Sequence, residues 1–251
     1  MLEPQPSQPR YTIDWTPVRH SALFLGERVD FRVATPRSLP RADLARTLGD
    51  AVARLRAVEA AFQRPRTDAD ARRHAAVTAA VMERSRRVHE ATFGYFDPWA
   101  LPAGFDPAGM LAGWALERAA SALSEAGVTN FAITAHDELL VRGNAPSGGP
   151  WRVGIRHPDE ALSGAMTTIS AANAAISTSA GLVIDPHTQR PSTHWRAVTV
   201  LGPDLGVADA YATGLRAAGP AGLSWFPTAD GYRVVLLTAP RPVDTDLPSA
   251  A

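Results

Sequence analysis

A loop gives way to a helix within the stretch Phe105-Asp106-Pro107-Ala108-Gly109-Met110-Leu111-Ala112-Gly113-Trp114-Ala115. Residues 94–109 are rich in Pro, Gly and aromatic side chains, which is typical of a structured loop. From residue 110 to residue 126, apolar side chains recur every three or four positions. This spacing predicts a helix, and Gly127 is placed to end it.

Outward from this helix, the chain shows further helical and extended patterns. Apolar residues at helical spacing predict helices over 41–62, 68–91 and 207–218. Strands are predicted at 23–33 (as a pair or one bent strand), 131–142, 151–156, 166–172 and 196–201, and a hairpin within 223–238. Helices and strands come in clusters and do not alternate. The sequence therefore predicts an α+β fold, a single domain with mixed or antiparallel sheets and several helices.

The two ends of the chain differ from its middle. Residues 1–10 and 240–251 are rich in Pro and offer few apolar side chains to bury, so we expect both to be disordered. The predicted domain then covers residues 11–239. No stretch approaches the roughly 20 apolar residues of a membrane span, and residues 1–10 lack the features of a signal peptide. These observations predict a cytoplasmic protein.

Composition excludes several kinds of chemistry. The formal net charge is zero, so no summed positive field favours nucleic acid as a partner. The sequence contains no Lys, which excludes Schiff-base and lysine general-base mechanisms within this chain. It also contains no Cys, which excludes disulfides, thiolate nucleophiles and zinc sites with cysteine ligands.

One pair of oxygen donors falls on the predicted helix over 207–218. Asp209 and Thr213 are four residues apart, so both side chains project from one helical face about one turn apart. A carboxylate and a hydroxyl are hard ligands that suit Mg²⁺, which keeps waters and binds phosphate oxygens. Taken alone, the pair allows another interpretation, with Asp209 as a helix cap or solvated acid and Thr213 bonded within its own helix.

Five further motifs lie before or after the opening stretch. They are Phe96-Asp97-Pro98, Trp151-Arg152-Val153-Gly154-Ile155-Arg156-His157-Pro158, Ala175-Ile176-Ser177-Thr178-Ser179-Ala180, Ile184-Asp185-Pro186-His187-Thr188-Gln189-Arg190-Pro191 and Ala208-Asp209-Ala210-Tyr211-Ala212-Thr213. Together with residues 105–115, and in their order along the chain, these motifs resemble those of the ApbE family of flavin transferases. The resemblance extends over residues 94–215 and implies the ApbE fold.

The resemblance also implies an activity and a site. The enzymes of this family are transferases that move FMN from FAD to a threonine of a protein, with AMP as leaving group and Mg²⁺ as cofactor. The partners implied are FAD and a threonine-bearing flavodomain. Carried over by motif, the metal ligands are Asp209, Thr213 and the backbone carbonyl of Ala115. The positions expected to bind FAD are Phe96, Asp97, Asp106, Ala112, Arg118, Ser179 and Asp185.

Several ligand positions depart from the family pattern. The family's Met-Gly-Thr is Leu25-Gly26-Glu27 here, its Lys before Gly-Trp is Ala112, and Leu182 stands where a His usually precedes Ile-Ile-Asp-Pro. The glycines of its Gly-Gly-Asp/Glu turn are His136 and Asp137, ahead of Glu138, which we interpret as an exposed turn. These losses leave two alternatives open: a catalytically degenerate flavin- or nucleotide-binding or regulatory protein, and a flavin-pyrophosphate hydrolase.

Overall fold

The computed structural model describes residues 11–13, 18–34, 40–63, 66–145, 149–156 and 165–238. The helices are α1 Arg41–Ala61, α2 Asp68–Ala91, α3 Leu111–Glu125 and α4 Leu205–Ala218. The strands are β1 Tyr11–Ile13, β2 Val18–Phe24, β3 Glu27–Val33, β4 Phe131–Ala135, β5 Glu138–Arg142, β6 Trp151–Arg156, β7 Ala165–Ala171, β8 Ala174–Ala180, β9 Ile184–Asp185, β10 Arg190–Pro191, β11 Trp195–Gly202 and β12 Arg233–Thr238. The predicted disordered ends lie outside the described residues.

The strands form one large sheet and two small ones. Seven strands pair in the order β12-β11-β8-β5-β4-β3-β2, and three pair in the order β1-β6-β7. The third sheet is the short pair β10-β9. All pairings among the described residues are antiparallel. The α+β class predicted from the sequence is confirmed.

Both faces of the large sheet are covered by other parts of the chain. Successive side chains of a strand point to opposite faces, so neighbouring residues of a central strand pack against different layers. Leu140 and Ala175 pack with α1 and α3, whereas Leu139 and Ile176 pack with the small sheet through Trp151. A central strand with two covered faces loses the usual alternation of apolar and polar residues. This explains why all five residues of β4 are buried.

Helices α3 and α4 approach each other very closely. A Cβ built on Gly113 would lie 2.7 Å from backbone atoms of Leu205 and Gly206, so no larger residue fits there. The start of α4 is also held by α3, since the Glu117 carboxylate accepts a hydrogen bond from the Leu205 N–H at 3.1 Å. The Arg142 guanidinium donates to the same carboxylate at 2.8 Å. These contacts fix the position of the helix that carries Asp209.

Two features of the fold differ from the sequence predictions. The hairpin predicted within 223–238 is wrong, because Gly219–Ser224 and Thr228–Asp230 form 3-10 helices and only β12 is a strand there. The rings of Trp225 and Phe226 pack against Tyr211 of α4, which keeps this segment from extending. Strand β8 was recognised only as a motif, because its small Ala, Ser and Thr residues lack a strand-like apolar pattern.

Candidate active site

One cavity of about 460 Å³ lies where α4, β8, the β4–β5 turn and the loop before α3 meet. Four carboxyl residues and Thr213 are among its lining residues, which also include small side chains of the loop and of β8. The lining residues include Leu25, Asp106, Ala112, His136, Asp137, Glu138, Ser179, Asp209 and Thr213. Oxygen donors from four separate parts of the sequence thus converge on one space.

Asp209 is buried in the wall of this cavity. Its side chain is 8% exposed, and the Ser177 hydroxyl donates a hydrogen bond to its Oδ1 at 3.1 Å. Burial raises the pKa of the Asp209 carboxyl to about 7, the Ser177 hydroxyl acts in the opposite direction, and the charge of Asp137 adds to the rise. A carboxylate in such a place is unfavourable as a bare anion and gains from a nearby cation.

The interpretation of Asp209 as a helix cap or solvated acid is wrong. Helix α4 begins at Leu205, and its N-cap is Asp204, whose side chain accepts a hydrogen bond from the Val207 N–H at 3.0 Å. Arg84 makes an ion pair with the same Asp204. Because Asp204 already caps the helix, Asp209 in the second turn is available to the cavity.

Thr213 lies one helical turn after Asp209 and lines the same cavity. The loop before α3 passes directly over it at Gly109, which has a φ of +80°. A Cβ built on Gly109 would lie 3.4 Å from Thr213 Oγ1 and 3.4 Å from the Phe96 ring. The glycine therefore brings the loop backbone close to the hydroxyl without covering it by a side chain.

The β4–β5 turn is less exposed than the sequence indicated. His136 adopts a φ of +40°, its side chain is 46% exposed, and its Nε2 lies 3.3 Å from Asp137 Oδ2. Glu138, however, is only 9% exposed and faces the cavity. Burial, the charge of Asp209 and the charge of Asp137, in that order, hold the pKa of Glu138 well above its ordinary value. The exposed-turn interpretation therefore fails for Glu138.

Sequence reasoning gave no role to Ser177 or Glu138. Strands β5 and β8 pair so that these two residues stand directly opposite each other. Directly opposed residues of antiparallel strands place their side chains on the same face of the sheet. Only the pairing register reveals this neighbourhood, and no local sequence pattern fixed that register.

The positions predicted to bind FAD fall into two groups. Asp106, Ala112 and Ser179 line the cavity, and Asp106 Oδ1 accepts a hydrogen bond from the Ala108 N–H at 3.0 Å. The structure thus brings these three positions together with the predicted metal ligands Asp209 and Thr213. The third predicted ligand, Ala115, is fully buried within α3 and is not among the residues that line the cavity.

The other four predicted FAD positions are not among the residues that line this cavity. Phe96 is buried in the core beside α4. Asp97 accepts a hydrogen bond from the Trp99 N–H at 2.9 Å and lines a neighbouring depression with His89 and His187. Arg118 stacks over the Trp114 ring, with its Cζ 5.3 Å from the ring centroid.

Asp185 completes the second group and shapes the turn between β9 and β10. Its carboxylate accepts hydrogen bonds from the His187 N–H and from the Thr188 hydroxyl, each at 2.9 Å. For all four positions, a role in binding FAD remains a prediction.

The donor set suits a divalent cation of the Mg²⁺ type. Among the described residues, no group of three or more His, Asp or Glu side chains is arranged to hold a metal alone. Mg²⁺ does not need such a cage, since it keeps several waters and takes one or two carboxylates together with phosphate oxygens of a ligand. A buried Asp209 beside the Thr213 hydroxyl therefore fits the ion.

No helix in the described part of the chain is long and apolar enough to cross a membrane.

Comparison with curated proteins gives several relatives over part of the chain. The FAD:protein FMN transferase of Escherichia coli K12 is 29% identical over 140 residues, which cover 50% of this chain and 40% of that protein. The FAD:protein FMN transferase of Klebsiella pneumoniae is 30% identical over 122 residues, which cover 43% and 35%. The matched segment thus spans about two fifths of the length of these relatives.

Solved structures show the same fold at low identity. The flavin transferase ApbE from Vibrio cholerae (H257G mutant) matches with a TM-score of 0.74 and 19% identity, covering 90% of this chain and 94% of that chain. The apo flavinyl transferase ApbE of Pseudomonas stutzeri gives 0.70 and 17%, covering 92% of each. A sequence model of the ApbE family matches residues 100–236, more than half of the chain. The chain therefore belongs to the ApbE family.

Proposed function

We propose that this chain is an Mg²⁺-dependent FAD:protein FMN transferase that modifies a threonine of a flavodomain protein. The observation that carries the proposal is the pair formed by Asp209 and Thr213, which line one cavity from adjacent turns of α4. The family membership and the names of the relatives supply the substrate and the reaction. The predicted domain, residues 11–239, is proposed as the unit that performs it.

The proposed transfer exchanges the phosphoanhydride bond of FAD for a phosphate ester of threonine. The threonine oxygen of the acceptor attacks the phosphorus of the FMN half of FAD, the bond from that phosphorus to the oxygen of the AMP half breaks, and AMP leaves. The threonine proton is released, so FAD and the protein hydroxyl give the FMN ester, AMP and a proton. When bound, Mg²⁺ neutralises charge on the diphosphate and on the leaving group.

The residues of this chain would orient the reactants. Asp209 and Thr213 would hold the cation, with the Ala115 carbonyl as a further ligand, and Ser177 would keep the Asp209 carboxylate turned toward the cavity. Asp106, Ala112 and Ser179 would contact the bound FAD within the same cavity. For Phe96, Asp97, Arg118 and Asp185, contact with the rest of FAD is proposed on the motif alone.

A second candidate is a flavin- or nucleotide-binding protein that has lost catalysis. Its support is the character of the cavity wall, which carries Leu25 with 48% exposure and four carboxyl residues. Among the described lining residues there is no Arg. Such a wall repels an anionic diphosphate that arrives without a cation.

One experiment separates the candidates. Purified protein is incubated with FAD, Mg²⁺ and a threonine-bearing flavodomain, and the acceptor is weighed by mass spectrometry. The transferase predicts a mass increase equal to one FMN ester, released AMP, and loss of both with EDTA or in Asp209→Asn. If FAD binds but neither product forms, the degenerate alternative holds. Release of FMN and AMP without an acceptor identifies a hydrolase.

A further inference from the structure

Glu138 is placed beside Asp209 by the architecture of the sheet. Glu138 stands directly opposite Ser177 in the pairing of β5 with β8, so both side chains lie on the face of the sheet that α4 covers. The hydroxyl of this same Ser177 donates to Asp209 Oδ1 at 3.1 Å. Two acidic side chains, one from the sheet and one from the helix, are therefore neighbours of one serine.

The Glu138 carboxylate is buried but lacks a donor from elsewhere in the described residues. Its side chain is 9% exposed, it lines the cavity, and the hydrogen bond that favours its charged form comes from its own backbone N–H. Leaving a buried carboxylate without a strong partner is unfavourable, and a cation can supply that partner. Asp209 lines the same cavity, and its charge acts on Glu138, so one cation bound near both carboxylates would be a partner for each.

We propose that Glu138 is a second protein carboxylate of the cation site, so that the cavity binds a divalent cation before any nucleotide arrives. This inference rests on the proposed cation site at Asp209 and Thr213 and adds a ligand to it. With one carboxylate, such a site depends on phosphate oxygens of its ligand to retain the ion. A second carboxylate adds an anionic ligand from the protein, so that retention of the ion depends less on phosphate oxygens. The nucleotide would then meet a cavity that already carries its cation.

The test measures cation binding without nucleotide. Mn²⁺ is titrated into the metal-free protein at pH 8, and free Mn²⁺ is followed by electron paramagnetic resonance. Wild type, Glu138→Gln and Asp209→Asn are compared with Glu27→Gln as the matched control, because Glu27 is an exposed carboxylate whose charge also acts on Glu138. We expect Glu138→Gln to weaken Mn²⁺ binding by about tenfold or more, and Glu27→Gln to change it by less than about twofold.

Thermal unfolding of the same proteins shows whether Glu138→Gln folds and why it loses the ion. The variant should melt at a higher temperature than wild type when metal-free, because a buried charge is gone, and should gain less from added Mn²⁺. If Glu138 had only a structural role, Glu138→Gln would lower the melting temperature both without metal and with Mn²⁺ present. The inference is overturned if Glu138→Gln binds Mn²⁺ like wild type, or if Glu27→Gln loses as much.

Wild type that binds no Mn²⁺ without nucleotide would also overturn the inference. A repeat titration in the presence of FAD then separates the two proposals. If FAD restores an Mn²⁺ site that depends on Asp209, the proposed transferase stands without Glu138 as a ligand. If no such site forms with FAD either, the proposed function fails as well.

Discussion

The cavity has two sides that behave differently, a helix side and a rim. The helix side is formed by Asp209 and Thr213, with Ser177 hydrogen-bonded to Asp209, and the rim is formed by Leu25 and His136. Ser177 and Asp209 are buried and joined by a hydrogen bond. Leu25 is 48% exposed, and it and His136 have φ values of +51° and +40°, where L-residues are strained. Leu182, which is 76% exposed, is not among the described residues that line the cavity.

The difference shows which parts of the site the fold itself requires. A residue on the helix side is constrained by packing as well as by chemistry, so its replacement must disturb both. A rim residue has few neighbours, and chemistry alone constrains it. The helix side keeps the family motif, and the departures from the family include the two rim residues, Ala112, Asp137 and, outside the cavity lining, Leu182. The predictions below test this contrast, beginning with the largest effect.

The stability of the metal-free protein should depend on pH through Asp209. Its pKa rises from 3.8 to about 7 on folding, so the folded state binds this proton more tightly than the unfolded state. Unfolding free energy should therefore fall as pH rises from about 4 to about 7 and level off above that, by on the order of 4 kcal/mol. Urea unfolding in EDTA at several pH values measures it.

The Asp209→Asn variant provides the control for this pH dependence. The unfolding free energy of this variant should depend less on pH, because Asp209 no longer titrates. A dependence due to Glu138 should remain, since the pKa of Glu138 is raised as well. A slope that is unchanged in the variant would show that Asp209 is not buried as a charged group in solution.

The same Asp209→Asn variant should lower FMN transfer by about a hundredfold or more, because charge stabilisation by a metal is worth several kcal/mol. Mass spectrometry of the acceptor with time gives the rate. Asp204→Asn is the matched control, since Asp204 caps the same helix but does not line the cavity, and asparagine is also a good cap. Equal losses in the two variants would assign the effect to the helix.

Gly113→Ala should destabilise the protein by about 1–3 kcal/mol, because the added methyl group meets backbone atoms of α4 that cannot rotate away. To relieve this clash, α4 would move relative to α3, and this movement would weaken Mn²⁺ binding. Gly49→Ala in α1 is the control, since nothing lies within 4 Å of its added Cβ. It should stabilise by roughly 0.5–1 kcal/mol. A neutral Gly113→Ala would show that the helices separate freely.

The sequence predicted the pair on α4 better than its neighbours on the sheet for a physical reason. The spacing of Asp209 and Thr213 is a property of one helix, so local periodicity was enough to bring them together. Glu138 and Ser177 meet only through the register of β5 with β8, which depends on residues distant in sequence. Ala112 and Ser179 were reached by resemblance, and the structure places both at the cavity.

The errors in the fold have a similar origin. Strand β8 consists of small residues whose extended form is imposed by the strands on either side of it. The segment before β12 was predicted as half of a hairpin, but its aromatic rings gain more by packing on Tyr211. In both cases contacts between distant parts of the chain outweigh local preference.

Ser177→Ala should have a smaller effect than the changes above, about 1 kcal/mol in stability. The Ser177 hydroxyl opposes the rise in the pKa of Asp209, so its loss should move the pH midpoint of the metal-free protein upward. Ser121→Ala, an exposed position whose hydroxyl bonds to the Glu117 carbonyl within α3, is the control and should change neither value. An unshifted midpoint would mean that Ser177 does not hold the carboxylate.

The smallest effect should come from Leu182, which departs from the family pattern but does not line the cavity. Leu182→Ala should alter stability by less than about 0.5 kcal/mol, because the side chain is 76% exposed and loses little buried area. Leu55→Ala, at a fully buried position, should cost about 2–5 kcal/mol in the same urea assay. FAD affinity, measured by flavin fluorescence, should be nearly unchanged in Leu182→Ala, since an exposed leucine offers the diphosphate no polar contact. If affinity falls while stability does not, Leu182 packs on the bound ligand, and the surface that recognises FAD extends beyond the cavity.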